Sequence, residues 1–450
     1  MKLLKVDTVE QAREKIISYT KAWKLKAETL PLGETQGRVA AEDVFAYCDV
    51  PSFRRSAVDG YAVIASDTAG AGESIPVFLK RTGTVSMGKT ADLSIKPGEC
   101  AYVPTGGMLP DGADAAVMIE YCEELSMNNE KSGINNEELI NNKKNKNGIG
   151  DLISICEAVA SGAGVVLAGE DFINGDLLLK KGARVRPQEI GVLSAAGITE
   201  IKVLSPLIVG IISTGDELVA PEKKTALGEV RDINTNTLKA LAEKYGFITQ
   251  SAQVLPDDEI IIEKKIKELV PLCDIIVISG GSSQGEKDFT EKIIENTADP
   301  GVFTHGLALK PGKPTILGWD EETKTLFAGL PGHPVSAMMV FEILFGHLVK
   351  TGNLEFGIRN EETKLRFEGI YNLFSFNTVS AIISHNVPGA DGRAVCVPVA
   401  LSYENNIIFA QPVFGKAGLI SLLTRADGYI IIDANKEGIN KDENVIVHLF

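Results

Sequence analysis

Residues 206–281 decide the fold: PLIVGIIST (206–214), INTNTLKALAEKYG (233–246), ITQSAQVLP (248–256), EIIIEKKIKELV (259–270) and DIIVISGG (274–281). The first, third and fifth segments are short apolar runs that stop at polar or glycine-rich turns. The second and fourth space their apolar residues three and four apart, as a helix with one buried face does. Strand and helix in strict alternation predict a parallel sheet with helices on both faces, because parallel neighbours can be joined only by a crossover. A later strand, TLFAGL (325–330), and an apolar helix opened by Pro334 extend the pattern.

In such a sheet ligands bind beyond the carboxyl ends of the strands, so the polar residues directly after each strand matter most. After the first strand stand Thr214, Gly215, Asp216 and Glu217; after the second, Asp257 and Asp258; after the third, Gly280, Gly281, Ser282, Ser283 and then Asp288. A rim of carboxylates can hold Mg2+ and let it bridge phosphate or oxyanion oxygens. The same residues could simply cap helices and solvate loops. The segment Pro331-Gly332-His333-Pro334-Val335-Ser336 runs into a helix whose first N–H groups are expected to receive an anion. Lys310 and Lys313, set among prolines, suit a phosphate or a rigid solvated turn equally.

Working outward, residues 8–24 predict an amphipathic helix with Thr8 as N-cap. Residues from Val50 to about Glu124 alternate strands with Gly, Pro and Asp turns, a β-rich module. Within it Asp59-Gly60 reads as a hairpin turn and Pro104-Thr105-Gly106-Gly107 as a second turn; farther along, Gly169-Glu170-Asp171 reads as two acids before a strand. Residues 126–150 hold eight Asn and no aromatic residue, the composition of an exposed insertion. RPQEIGVLSAAGI (186–198) predicts a short helix with Pro187 in its first turn and Gly197 at its end, and RAVCVPVAL, NNIIFAQPV and ENVIVHLF predict a C-terminal β-barrel or sandwich.

The 450-residue length predicts several domains, and 44% hydrophobic with 23% charged residues is the balance of a folded protein. A net charge of −15 excludes a generic nucleic-acid or anionic-membrane surface. The six cysteines form no CxxC pair and read as reduced core residues, and neither a signal peptide nor a membrane span is visible, so a cytoplasmic location is expected. No Ser, His, Asp constellation is visible.

In chain order, SFRRSAVDGYAV, PTGGMLPDGADAAVMIE, GEDF, RPQEIGVLSAAGI, STGDELV, GEVRDINTNTL, SGGSSQGEKDF, LKPGKPTILG and LPGHPVSA resemble the successive signatures of the molybdopterin molybdenumtransferase, or MoeA, family, which includes the C-terminal domain of gephyrin. GKAGLISLLTRADGYIII is similar to that family's last module. The resemblance implies an elongated, four-domain subunit: a connecting domain (21–46 and 176–205), a β-rich domain (47–175), a molybdopterin-binding three-layer α/β domain (1–20 and 206–351) and a C-terminal β-barrel (352–450). It implies a homodimer whose reaction centre lies between the α/β domain of one subunit and the β-rich module of the other. There the family joins molybdate to adenylylated molybdopterin, uses Mg2+, and releases AMP and the molybdenum cofactor.

Matched motif to motif, the functional acids fall on Asp59, Asp171, Glu217, Asp257 and Asp288, with Glu217, Asp257 and Asp288 as metal ligands. Thr214, Gly215, Asp216, Gly280, Gly281, Ser282, Lys310, Lys313, Pro331, Gly332, His333, Pro334 and Ser336 are the implied substrate contacts, and further proteins of molybdenum cofactor biosynthesis are implied partners. The chain departs from the family at Ser282-Ser283-Gln284, usually Val-Ser-Val, at His333, usually Asn, and at Val165 to Ala168, where arginines are common. A noncatalytic molybdopterin-binding or scaffold paralogue therefore stands as the alternative. A molybdopterin adenylyltransferase would share the α/β domain but not the flanking modules. Deleting residues 126–150 is expected to change the unfolding free energy by no more than about 1 kcal/mol, measured by denaturant titration.

Overall fold

The computed structural model describes residues 6–23, 26–125, 152–280, 289–346 and 378–450. It divides into two compact units, one comprising residues 1–28, 37–39 and 203–450, the other residues 29–36 and 40–202.

The first unit contains the α/β sheet. Helix α1 (Val9–Thr20) opens with a reciprocal capping box between Thr8 and Gln11. Then follow β1 (Ile208–Thr214), α2 (Asn234–Lys244), β2 (Ile248–Leu255), α3 (Glu259–Leu269), β3 (Ile275–Ser279), α4 (Phe289–Thr297), β4 (Pro300–His305), β5 (Ile316–Asp320), β6 (Thr325–Leu330) and α5 (Pro334–Phe341). The sheet order is β2-β1-β3-β6-β5-β4. The first four strands are parallel, whereas β5 is antiparallel to both β6 and β4, so the sheet is mixed rather than wholly parallel. The difference has a local cause. Only residues 321–324 join β5 to β6, too few for a crossover, and Lys324 takes the positive φ of a tight turn.

Alternation along the strands separates two apolar layers. Ile211, Val277 and Ala328 pack with α1, α2 and α5 through Ile16, Leu238 and Val335. Their neighbours Ile212, Ile276, Ile278 and Phe327 pack with α3 and α4 through Ile262, Ile266, Ile293 and Ile294. The result is a three-layer α/β arrangement.

The same unit holds β7 (Thr378–Ile383), β8 (Ala394–Glu404), β9 (Ile407–Pro412), β10 (Gly428–Ile432) and β11 (Asn444–Leu449). They pair in the order β8-β9-β7-β11-β10, and β10 pairs back onto β8, closing a five-stranded barrel. Asn405 and Asn406, both at positive φ, make the β8–β9 turn. Ala381, Val397, Val399, Ala410, Ile430 and Val447 fill the interior. The short strand Leu309–Lys310 adds to the barrel beside Ala394 and Val395.

The second unit is built on a six-stranded sheet ordered Ala115–Met118, Gly60–Val63, Glu99–Val103, Val77–Thr84, Leu152–Ile155 and Cys122–Leu125. Its helix Pro187–Ala195 begins at a proline and is followed by Gly197 at φ +77°, as expected for a helix start and stop. The insertion at 126–150 lies outside the described residues. All six cysteines are free thiols, and burial pushes Cys273 up to about 11 and Cys100 and Cys122 up to about 12. No helix among the described residues is long and apolar enough to cross a membrane.

Phe327 is fully buried beneath α3 and α4. Phe327→Ala is expected to cost about 3–5 kcal/mol, read as a shift of the denaturant midpoint.

Candidate functional site

The parallel strands end level with one another. Thr214 lies opposite Leu255, and Ser213 lies opposite Ser279, which in turn lies opposite Leu330. Ile316, the first residue of the antiparallel β5, is opposite Gly329, so the turn carrying Lys310 and Lys313 comes to the same edge. Thus the strand-end residues Thr214 to Glu217, Asp257, Asp258 and Gly280, the lysine turn and the Pro331–Pro334 loop share one end of one sheet.

The first two loops are tied together. Gly215 N–H donates to Leu255 O (3.2 Å), and Asp257 N–H donates to Asp216 Oδ1 (3.0 Å). Asp258 is occupied as the N-cap of α3, its Oδ1 accepting from Ile260 and Ile261 N–H. Asp257 differs: its Oδ1 is buried without a hydrogen-bond partner among the described residues. Glu217 and Asp216 are exposed, and Glu217 holds the loop through its backbone, Val230 N–H donating to Glu217 O. Gly281, Ser282 and Asp288 lie outside the described residues.

The Pro331–Pro334 loop leads into α5 with His333 as its N-cap. The N–H groups there are not all open to a ligand. Val335 N–H donates to Ala417 O of the barrel (3.1 Å) and Ala337 N–H to His333 O (2.9 Å), which leaves Ser336 N–H as the first-turn donor aimed at no described acceptor. The anion site expected from Pro334 is therefore narrower than the sequence suggests. Gly418 also faces His333, a Cβ there coming within 3.6 Å of His333 Cδ2. Lys310 and Lys313 are exposed at the same edge, with no ion pair among the described residues.

A buried polar bridge that the sequence reading left unassigned runs between these loops. Asn234, the first residue of α2, donates through Nδ2 to Ser279 Oγ and to Gly332 O, both at 2.8 Å. Ser279 Oγ lies 3.3 Å from Pro331 O, and Thr235 Oγ1 donates to Ser213 Oγ (2.8 Å). Only the position of Asn234 at the start of the first crossover helix signals it beforehand.

In the second unit the two turns noted in the sequence meet. Thr105 N–H donates to Asp59 Oδ1 (2.7 Å), and Ser56 exchanges backbone hydrogen bonds with Gly106 and Gly107. Asp59 is exposed and fixes this turn. Asp171 is also exposed; its N–H donates to Val50 O (3.0 Å), and Gly169 N–H donates to Pro51 O (2.9 Å). Residues 50–60 are thus flanked by both acids.

Three family models cover this chain. Residues 7–197 match the MoeA N-terminal region (domain I and II), residues 210–351 a probable molybdopterin binding domain, and residues 380–450 the MoeA C-terminal region (domain IV). The molybdopterin molybdenumtransferase of Haemophilus influenzae is 34% identical over 98% of this chain and 98% of its own length. The chain belongs to the MoeA family of molybdopterin molybdenumtransferases. A Staphylococcus aureus molybdopterin molybdenumtransferase is 29% identical over 76% of this chain and 75% of its own. Two crystal structures of the molybdopterin biosynthesis MoeA protein of Pyrococcus horikoshii superpose with TM-scores of 0.74 and 0.75, at 32% and 28% identity, over 99% of this chain and 99% and 100% of theirs. MoeA membership accounts for the combination of a three-layer domain, a β-rich unit and a terminal barrel.

Gly280 joins the site's two halves and tolerates no side chain: φ is +110°, and a Cβ would lie 2.4 Å from Thr214 O. Gly332 has no such constraint, a Cβ there meeting only Gly280 Cα, at 3.6 Å, among the described residues. Gly280→Ala is expected to lower stability by about 1–3 kcal/mol and Gly332→Ala by less than about 0.5 kcal/mol, compared by thermal unfolding.

Proposed function

We propose that this protein completes the molybdenum cofactor by magnesium-dependent insertion of molybdate into adenylylated molybdopterin, releasing AMP, in the cytoplasm. Family membership supports the reaction class, and one observation in the α/β unit carries the assignment to this edge. Asp257 is held by Asp216 through its own N–H, yet its buried carboxylate oxygen Oδ1 has no partner. A buried carboxylate oxygen left bare is unfavourable unless a ligand or cation completes it.

Mg2+ takes few protein carboxylates and keeps several of its waters. The bare Asp257 oxygen suits that demand. Glu217, Asp257 and Asp288 would hold the ion, which when bound supplies charge neutralisation at the phosphate oxygens. Lys310 and Lys313 bring two cations to the same edge for the phosphates, and the Ser336 N–H offers an oxyanion one backbone donor. The chain's contribution is to place the adenylyl phosphate and molybdate side by side; no covalent enzyme intermediate is called for.

The active form in this reading is a homodimer, with Asp59 and Asp171 of each subunit serving the partner's reaction centre. The cross-strand neighbours Phe45 and Leu177 support an association surface, being 52% and 48% exposed, with Tyr47 beside them at 61%. The purified protein with adenylylated molybdopterin, molybdate and Mg2+ is expected to release AMP, and Asp257→Asn to slow release at least about a hundredfold without a change in melting temperature. Folded protein that releases no AMP would instead favour the noncatalytic paralogue. Mixing and refolding Asp59→Asn with Asp257→Asn should restore about a quarter of wild-type activity, the statistical share of intact sites if they are built across a two-fold dimer; no recovery would place both acids within one subunit's own centre.

A further inference from the structure

Two oxygens in the floor of the strand-end site are buried and have no partner among the described residues: Asn234 Oδ1 and Thr214 Oγ1, on residues only 7% and 6% exposed. They belong to one patch built around Gly280. Thr214 Oγ1 would lie 2.7 Å from a Cβ at Gly280, and Gly332, whose carbonyl Asn234 holds, packs against Gly280 Cα. The orientation of the Asn234 amide is fixed by its neighbours. Gly332 O can only accept, so the atom facing it at 2.8 Å is the nitrogen, and the same nitrogen reaches Ser279 Oγ. Both amide hydrogens are used, and the oxygen left over is an acceptor with nothing to accept from.

We propose that Asn234 is a positioning and specificity residue: its nitrogen locks the Pro331–Gly332 turn to the end of β3, and its oxygen, with the Thr214 hydroxyl, receives neutral N–H or O–H donors of the organic part of the ligand. The inference rests on the transferase reading for the identity of that ligand. Its physical ground is polarity. Phosphate and molybdate present acceptor oxygens at neutral pH, so the Asn234 oxygen repels them and directs them to the lysine turn and the start of α5. An aminopterin ring and an adenosine both carry suitable donors, through ring N–H and amino groups or sugar hydroxyls. The floor thereby sets which end of the ligand enters first, and because Asn234 also holds Gly332 O, occupancy of the floor stiffens the loop that faces the anion.

Binding of three probes to the full chain, AMP, 6-hydroxymethylpterin and molybdate, measured calorimetrically with EDTA present, tests this. Thr214→Val keeps the shape and removes the hydroxyl. It is expected to leave the melting temperature unchanged or higher, since no protein partner is lost, to weaken AMP, the pterin or both about tenfold, and to leave molybdate unchanged. The probe that weakens identifies the moiety on the floor. Asn234→Asp keeps an oxygen but loses the donors to Gly332 O; binding of the same probe should fall at pH 8 and recover toward pH 5, where a buried carboxyl regains its proton and can donate again. The proposal is overturned if Thr214→Val lowers the melting temperature with organic affinity intact, if molybdate alone weakens, if Asn234→Asp is equally impaired at both pH values, or if neither organic probe binds the unaltered chain. Binding that behaves as expected alongside an absence of AMP release would count against the transferase reading alone.

Discussion

The level ending of four parallel strands is the constraint from which the site follows. Backbone pairing sets Leu255, Thr214, Ser279 and Leu330 side by side, so the residues after them emerge into the same small volume whatever their separation in the chain. Helices packed on both faces through the Ile211 and Ile212 layers make that register rigid. The loops 256–258 and 331–333 can then be short and polar, because the sheet beneath them supplies the stability.

Much of this was legible in the sequence because it is local. Alternating apolar runs and helical spacing marked each strand and helix of 206–281, and Thr214 and Asp257 stood out simply as the first polar residues past a strand end. What was not legible depends on contacts between distant segments. The antiparallel β5 and the closure of β10 onto β8 are pairings that no single window reveals. Asn234 looks like an ordinary helix-start residue until Ser279 and Gly332 are brought to it from 45 and 98 residues away. Asp59 reads as half of a hairpin turn until its carboxylate is seen capping Thr105.

The acidic character of the chain takes on a specific meaning at this edge. Asp258 is absorbed by helix capping and Asp216 by the adjacent loop, and Asp257 alone retains a bare buried carboxylate oxygen among the described residues. Counting carboxylates overstates the rim, because neighbouring acids serve the backbone and leave one poised for a ligand. The same economy holds at α5, where Val335 N–H is already committed.

That commitment joins the terminal barrel to the chemistry. Ala417 O takes Val335 N–H, Gly418 lies against His333, and β8 pairs with the strand that ends at Lys310, so two loops of the site are braced by a module that contributes none of the implied functional acids. Because binding linkage is reciprocal, a ligand that orders those loops must also slow the opening of the barrel's hydrogen bonds. Substitutions inside the barrel would then act as mutations of affinity, tuning the candidate site through its scaffold.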